Sequence, residues 1–276
     1  MYIEMSDKIK LYVKQAGKGK PCIFIHGGPG AWSYNFEVFC GSDLERTMEM
    51  IYFDQRGCGR SSGDESSDYS IDRIVEDIEE IRKQLGISKL NILAHSFGGI
   101  IAVNYVHKYQ QHVEGLILSN CTLHMHDSLR NQAIYGATLL SLDKFEVDEN
   151  KFIMEQWQEV ITKIFEKNLF YNFQYKEYDN FLKVNEVDEA IENRSLANQA
   201  FSNKEYFLNH CDLTKDIIVP VLIITGNEDF AIGCDHYKKF QFPNKVIEII
   251  PGRHVLYLEN RDQFILVIKN FIENCL

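Results

Sequence analysis

The chain has no long apolar run, no paired cysteines and no excess of basic residues. Nothing in its 276 residues approaches the roughly 20 consecutive apolar residues of a membrane-crossing helix. The opening stretch MYIEMSDKIKLYV lacks a basic start followed by an apolar segment, so no secretion signal is expected. The seven cysteines (Cys22, Cys40, Cys58, Cys121, Cys211, Cys234, Cys275) are odd in number, and no two form a C-x-x-C pair. That pattern suits a reducing cytoplasm better than a disulfide framework. Lys and Arg number 29 against 40 Asp and Glu, and the net charge of −11 disfavours nucleic acid, whose phosphates need a basic face. His124 and His126 form an H-x-H pair near Cys121, but no further ligands follow at a zinc-site spacing, so neither metal nor cofactor is expected. What remains is an ordinary globular composition, 45% apolar and 25% charged, long enough for one large domain or a core with an insertion.

The first half alternates between strands and helices. IKLYVKQ, CIFIH, MEMIYFD, KLNILAH and VEGLILSN read as strands, the last four with the continuous apolar character of strands buried on both faces. Ile71, Ile74, Val75, Ile78, Ile81 and Leu85 recur at helical spacing after Ser70 and stop at Gly86. FGGIIAVNYVHKY has helical length. Alternation of this kind predicts an α/β fold: a mostly parallel sheet with helices on both faces. From 122 to 210 the character changes. This stretch has no proline and reads as helices, including EQWQEVITKIFEKNLF and YKEYDNFLKVNEVDEAIENRSLANQAF. VPVLIITG, KVIEIIPG and the amphipathic RDQFILVIKNFIENC then resume the alternation. The expected organisation is a core in two parts, 1–121 and 211–276, interrupted by a helical cap over 122–210.

The sharpest local signal is NILAHSFGGI. Ser96 stands between a buried strand and a helix, with Ala94 two residues before it and Gly98 two after. A sharp strand-to-helix turn needs small residues at those positions and lifts the serine Oγ above the sheet. A serine there could also be a plain helix cap, but the strand before and the helix after favour a nucleophile. A serine nucleophile needs a base and an orienting acid, in this architecture in the chain order Ser, Asp or Glu, His. VLIITGNEDF puts Asp229 in the loop after a late strand, and VIEIIPGRH puts His254 after the next. Glu228 competes with Asp229 for the acid. Ligands gather at the carboxyl ends of parallel strands, where all three would emerge.

Acyl transfer also needs two N–H donors aimed at the developing oxyanion. One is expected from Phe97, directly after Ser96, and the other from HGGPG after an earlier strand. Gly28 is the expected donor and Gly27 the alternative, while His26 is expected to brace the loop. GGPGAW carries neither the Lys-Ser/Thr nor the G-x-G-x-x-G of a phosphate-binding loop.

HGGPG (His26–Gly30), DQRGCGRS (Asp54–Ser61), the Ser96 turn, Asp229 and His254 together resemble the α/β-hydrolase fold, and within it the proline iminopeptidase group of serine peptidases. The resemblance implies a serine hydrolase with an inserted helical cap, one that removes an N-terminal residue, often proline, from short peptides. It further implies acidic residues in the cap and beside the catalytic acid that hold the substrate's α-amino group, since a buried ammonium needs a carboxylate partner. This sequence departs there. Asn203 stands where the cap glutamate would fall, with Glu205 nearby; Phe230 replaces a carboxylate after Asp229; and Trp157 is followed by Gln158 rather than Glu. Gly27, Trp157, Glu205 and Phe230 are the expected substrate contacts, with Glu155 and Glu159 as further amine-binding candidates. Arg56 and the glycines around it read as structural.

Two other functions compete with the peptidase. An esterase or lactonase acting on a neutral acyl substrate would explain the missing acidic pattern. A sensor that keeps the fold without turnover would have little reason to retain serine, acid, base and donor loop together. The expected partner is a small molecule or short peptide, with no membrane involved.

Overall fold

The computed structural model describes residues 1–142 and 145–276. Eight strands form one sheet in the order β1-β2-β4-β3-β5-β6-β7-β8. They are β1 (Tyr2–Glu4), β2 (Lys10–Gly17), β3 (Lys20–Ile25), β4 (Met48–Phe53), β5 (Leu90–His95), β6 (Val113–Ser119), β7 (Val221–Gly226) and β8 (Lys245–Ile250). β1 pairs antiparallel with β2, and β2 with β4; every later pairing is parallel. β1 has only three residues, too few for a periodic signal, and escaped the sequence reading.

The longer helices are α1 (Ile71–Gln84), α2 (Gly98–Tyr109), α3 (Met125–Leu139), α4 (Ile153–Glu166), α5 (Tyr178–Asp188), α6 (Ser195–Ala200) and α7 (Arg261–Cys275). α1 starts where its sequence says it should: the Ser70 side chain accepts from the Arg73 N–H, and Gly86 follows the last turn at φ 68°. Among the described residues no helix is long and apolar enough to cross a membrane.

Side chains alternate across the strands, and each face finds its own cover. Ile23 and Ile25 of β3, Ile92 and Ala94 of β5, and Leu116 and Leu118 of β6 pack against the apolar stripes of α1 and α2. Cys22 and Phe24, Leu93, Ile117, and Leu222 and Ile224 of β7 face α7 through Phe264, Ile265, Ile268 and Phe271. All six residues of β5 and of β7 are buried, which is why those strands read as unbroken apolar runs. Between β6 and β7 the described chain is helix and loop, apart from one bridge that pairs Asn193 with Gly59. The long helical stretch read over 175–201 is two helices, α5 and α6, separated by the loop that makes this bridge.

Arg56 is fully buried. Its guanidinium grips Asp77 of α1 with two hydrogen bonds of 2.7 and 2.8 Å, and it also reaches Asp7 and the Asp68 carbonyl. Arg56→Ala leaves the buried Asp77 carboxylate with Arg73 alone, at 3.0 Å, and the loss expected in a urea-unfolding measurement is about 2–3 kcal/mol. A loss below about 1 kcal/mol, the range of exposed pairs, would contradict this role.

Candidate active site

Ser96 follows β5 and precedes α2, with its backbone in the left-handed region at φ 55°. The turn is tight enough that a Cβ on Gly98 would sit 2.4 Å from the Ile25 carbonyl oxygen, and one on Gly27 would sit 2.8 Å from the Ser96 Cβ. Glycine at both positions lets the end of β3 and the turn after β5 close on each other.

His254 lies in the loop after β8 and Asp229 in the loop after β7. The His254 Nε2 is 3.0 Å from the Ser96 Oγ, and its Nδ1 is 3.2 Å from each Asp229 carboxylate oxygen. That arrangement fixes the tautomer: Nδ1–H donates to Asp229, and Nε2 is left to accept from the serine hydroxyl. Asp229 is 1% exposed. One oxygen accepts the N–H groups of Ala231 and Ile232 at 3.1 Å each, and the other accepts Asn120 Nδ2 at 2.7 Å. Burial alone would raise its pKa, but the His254 charge and these donors outweigh burial, and the net shift is downward. Asp229 therefore stays ionised opposite the imidazole. Glu228 turns away, with its carboxylate beside Lys176 and Arg253. Asn120 was not foreseen; nothing in the sequence ties it to an acid 109 positions away.

The HGGPG loop runs beside the serine. His26 is buried and accepts the Gln55 N–H on Nε2 at 2.9 Å, while its Nδ1 lies 2.8 Å from the Gly27 carbonyl. Burial lowers its pKa, so it is a neutral brace for the loop. Gly28 adopts φ 113°. Neither the Gly28 N–H nor the Phe97 N–H has a hydrogen-bond partner among the described residues.

Two cavities meet at Ser96, Gly28, Gln174 and His254. One, of about 280 Å³, is mainly apolar, with Met125, Leu129, Trp157, Phe170 and Ile232 in its wall. The Trp157 indole N–H is held by Gln132 at 2.8 Å. The other, of about 210 Å³, is polar and includes Gly27, Trp32, Tyr175, Asp188 and Tyr257. Gly27 and Trp157 thus line space next to the serine. Glu205 does not: its carboxylate accepts the Ile71 N–H at 3.0 Å and caps the start of α1. Phe230 stacks on Tyr135 at 3.8 Å between ring centres and lines neither cavity. Glu155 and Glu159 are exposed on α4 and line neither cavity. The rings of His124 and His126 stack, and His124 Nδ1 faces Asp127 at 3.1 Å; among the described residues no group of three or more His, Cys, Asp or Glu is placed to hold a metal.

A family model described as alpha/beta hydrolase fold matches residues 20–261. A proline iminopeptidase of Saccharolobus solfataricus is 27% identical, over 96% of this chain and 88% of the relative. A proline iminopeptidase of Thermoplasma volcanium is 25% identical, over 90% of this chain and 87% of its own length. Among solved structures, a proline iminopeptidase-related protein from Thermus thermophilus superposes with a TM-score of 0.83 at 22% identity, covering 100% of this chain and 97% of its own. Est816, an N-acyl homoserine lactone degrading enzyme, superposes at 0.77 with 18% identity, covering 98% and 100%.

Burial in and near the site has a consequence for stability. It pushes the His95 pKa down to about 3 and the His236 pKa down to about 4, from an ordinary value of 6.5. Below pH 6.5 the unfolded chain takes up protons that these buried rings refuse. Stability is therefore full above that pH and is lost as pH falls toward the folded values. Between pH 7.5 and pH 5 each ring is expected to remove about 2 kcal/mol. Urea midpoints at the two pH values check this, and equal midpoints would overturn it.

Proposed function

The chain belongs to the α/β-hydrolase family, and from that premise we propose that it is a serine hydrolase working through an acyl-enzyme. The observation that carries this reading is the hydrogen-bonded line from Ser96 through His254 to the ionised Asp229. In the proposed reaction the Ser96 Oγ attacks the carbonyl carbon of an amide or ester while His254 Nε2 takes the hydroxyl proton. Asp229 stabilises the imidazolium so formed. The unpartnered N–H groups of Gly28 and Phe97 receive the oxyanion; a single such donor is worth about 3–4 kcal/mol in related chemistry. Collapse expels the amine or alcohol, which takes the proton back from His254. Water, deprotonated by the same ring, then releases the acid and frees the serine.

Residues 122–210 act in this reading as a cap that completes both cavities, with Trp157 on the apolar side. The preferred substrate class is a short peptide with an N-terminal proline or another small apolar residue. A side chain of that size suits the apolar cavity, and relatives spanning nearly the whole chain are proline iminopeptidases. A second reading, an esterase or lactonase on a neutral acyl group, draws support from Glu205 and Phe230, neither of which offers a carboxylate to the cavities.

Ser96→Ala is expected to fold as the parent does and to lose turnover by about a thousandfold or more. A serine-reactive fluorophosphonate should label the parent at Ser96. Near-parental turnover in the variant, or no labelling of folded parent, would overturn the hydrolase assignment. Prolyl-amide and short-chain ester substrates assayed side by side separate the finer readings. Amide cleavage that disappears when the α-amino group is blocked marks the peptidase, and activity confined to esters marks the alternative.

A further inference from the structure

The polar cavity contains a carboxylate that the proposed reaction does not use. Asp188 is the last residue of α5, where the helix dipole disfavours negative charge. One of its oxygens accepts the Trp32 indole N–H at 2.7 Å. The other accepts no hydrogen bond and faces no cation at ion-pair distance among the described residues. Arg194 bonds only the main-chain carbonyl of Asp188, at 3.1 Å. Burial raises the Asp188 pKa despite the Trp32 bond and the Arg194 charge, as befits a carboxylate lacking a counter-ion.

Its surroundings supply acceptors. Tyr175 and Tyr257 line the same cavity, both only 3% exposed, and neither hydroxyl has a partner among the described residues. Burial first, and then the neighbouring charges including Asp188, push both phenols upward, so they stay protonated with lone pairs free to accept. The Gln174 side chain, equally unpartnered, lies where the two cavities join. A carboxylate with a free oxygen, two phenol oxygens and an amide carbonyl form a pocket rich in acceptors and short of positive charge. An ammonium group, which has several N–H donors and a positive charge, fits that chemistry.

We propose that Asp188 is the counter-ion for a cationic amine of the substrate, the amine facing the polar cavity where it joins the apolar one beside Ser96 and the adjoining carbons turned toward the apolar wall. Neither Asn203 nor Phe230, where the family pattern would put the acidic groups, supplies this charge. The inference rests on the hydrolase reading only for calling the ligand a substrate; the amine subsite itself can be tested without turnover.

Asp188→Asn is the informative variant. Its amide oxygen can still accept from Trp32, so the contact between α5 and the core survives while the charge goes. In the Ser96→Ala background, calorimetric titration with L-prolinamide and with N-acetyl-L-prolinamide should show the free amine binding at least tenfold more tightly. Adding Asp188→Asn should remove that preference. In otherwise native protein, Asp188→Asn should lower kcat/KM for the free-amine substrate by about ten- to a hundredfold. It should leave hydrolysis of a short neutral ester and the rate of fluorophosphonate labelling within about twofold. Equal affinity for free and blocked probes, no measurable binding of L-prolinamide, or equal loss on amine and neutral substrates would each overturn the subsite. Amine binding that depends on Asp188, in a protein that neither turns over nor labels, would retain the subsite and overturn the hydrolase reading instead.

Discussion

The site depends on one backbone constraint, the left-handed conformation of Ser96 at φ 55°. For a residue with a side chain this costs roughly 1–3 kcal/mol, and the surroundings have to hold it there. They do so through close approach. Ala94 and Gly98 are small, Gly27 leaves room for the serine Cβ, and the Ser96 N–H and carbonyl are tied to Ser119 and to Gly99 and Thr122. Only with the serine raised in this way does its Oγ come within 3.0 Å of a ring delivered from the end of β8. A relaxed serine would fall back along the strand and out of line with His254.

Electrostatics complete what the backbone begins. The buried Asp229 keeps its charge because four donors converge on it: the His254 ring, the Asn120 amide and the two N–H groups of Ala231 and Ile232. Asp188 is the contrasting case, a carboxylate held by a single indole N–H. One acid is fully satisfied within the fold and the other keeps an oxygen without a donor among the described residues. The difference follows from their places in the chain, one in a turn whose amides fold back on it and the other at the wrong end of a helix dipole.

Much of this was legible in the sequence because it is encoded locally. The strands before Ser96 and Asp229 are buried, continuous apolar runs, and β8 before His254 is apolar in sequence although largely exposed at the sheet edge, so the common edge of the three residues could be inferred without coordinates. The HGGPG loop announces itself by its lack of side chains. The wall of the cavities was far less legible. Glu205 looked like an amine ligand in one dimension, yet its carboxylate is taken by the first turn of α1, 134 residues earlier in the chain. Asp188 looked like one more charge on a polar helix and gains significance only through Trp32, 156 residues away. Helical stretches rich in Glu, Lys and Asn carry a periodicity that tells which face is apolar, but not which polar residue turns inward at a helix end.

The loop that carries His254 is tied to the inserted helices. The His254 N–H donates to the Gln174 carbonyl at 3.1 Å, and the neighbouring Arg253 guanidinium binds the carbonyls of Asn172 and Tyr175 at 2.7 Å each. These bonds join residues some 80 positions apart and fasten Gln174, which lines both cavities, to the His254 loop. Swinging the insertion outward as a hinged flap would break all three and pull the imidazole out of register. Passage into and out of the cavities is therefore better served by side chains that line the apolar one, such as the half-exposed Phe165 and Phe201, which can rotate in nanoseconds while His254 stays aligned with Ser96.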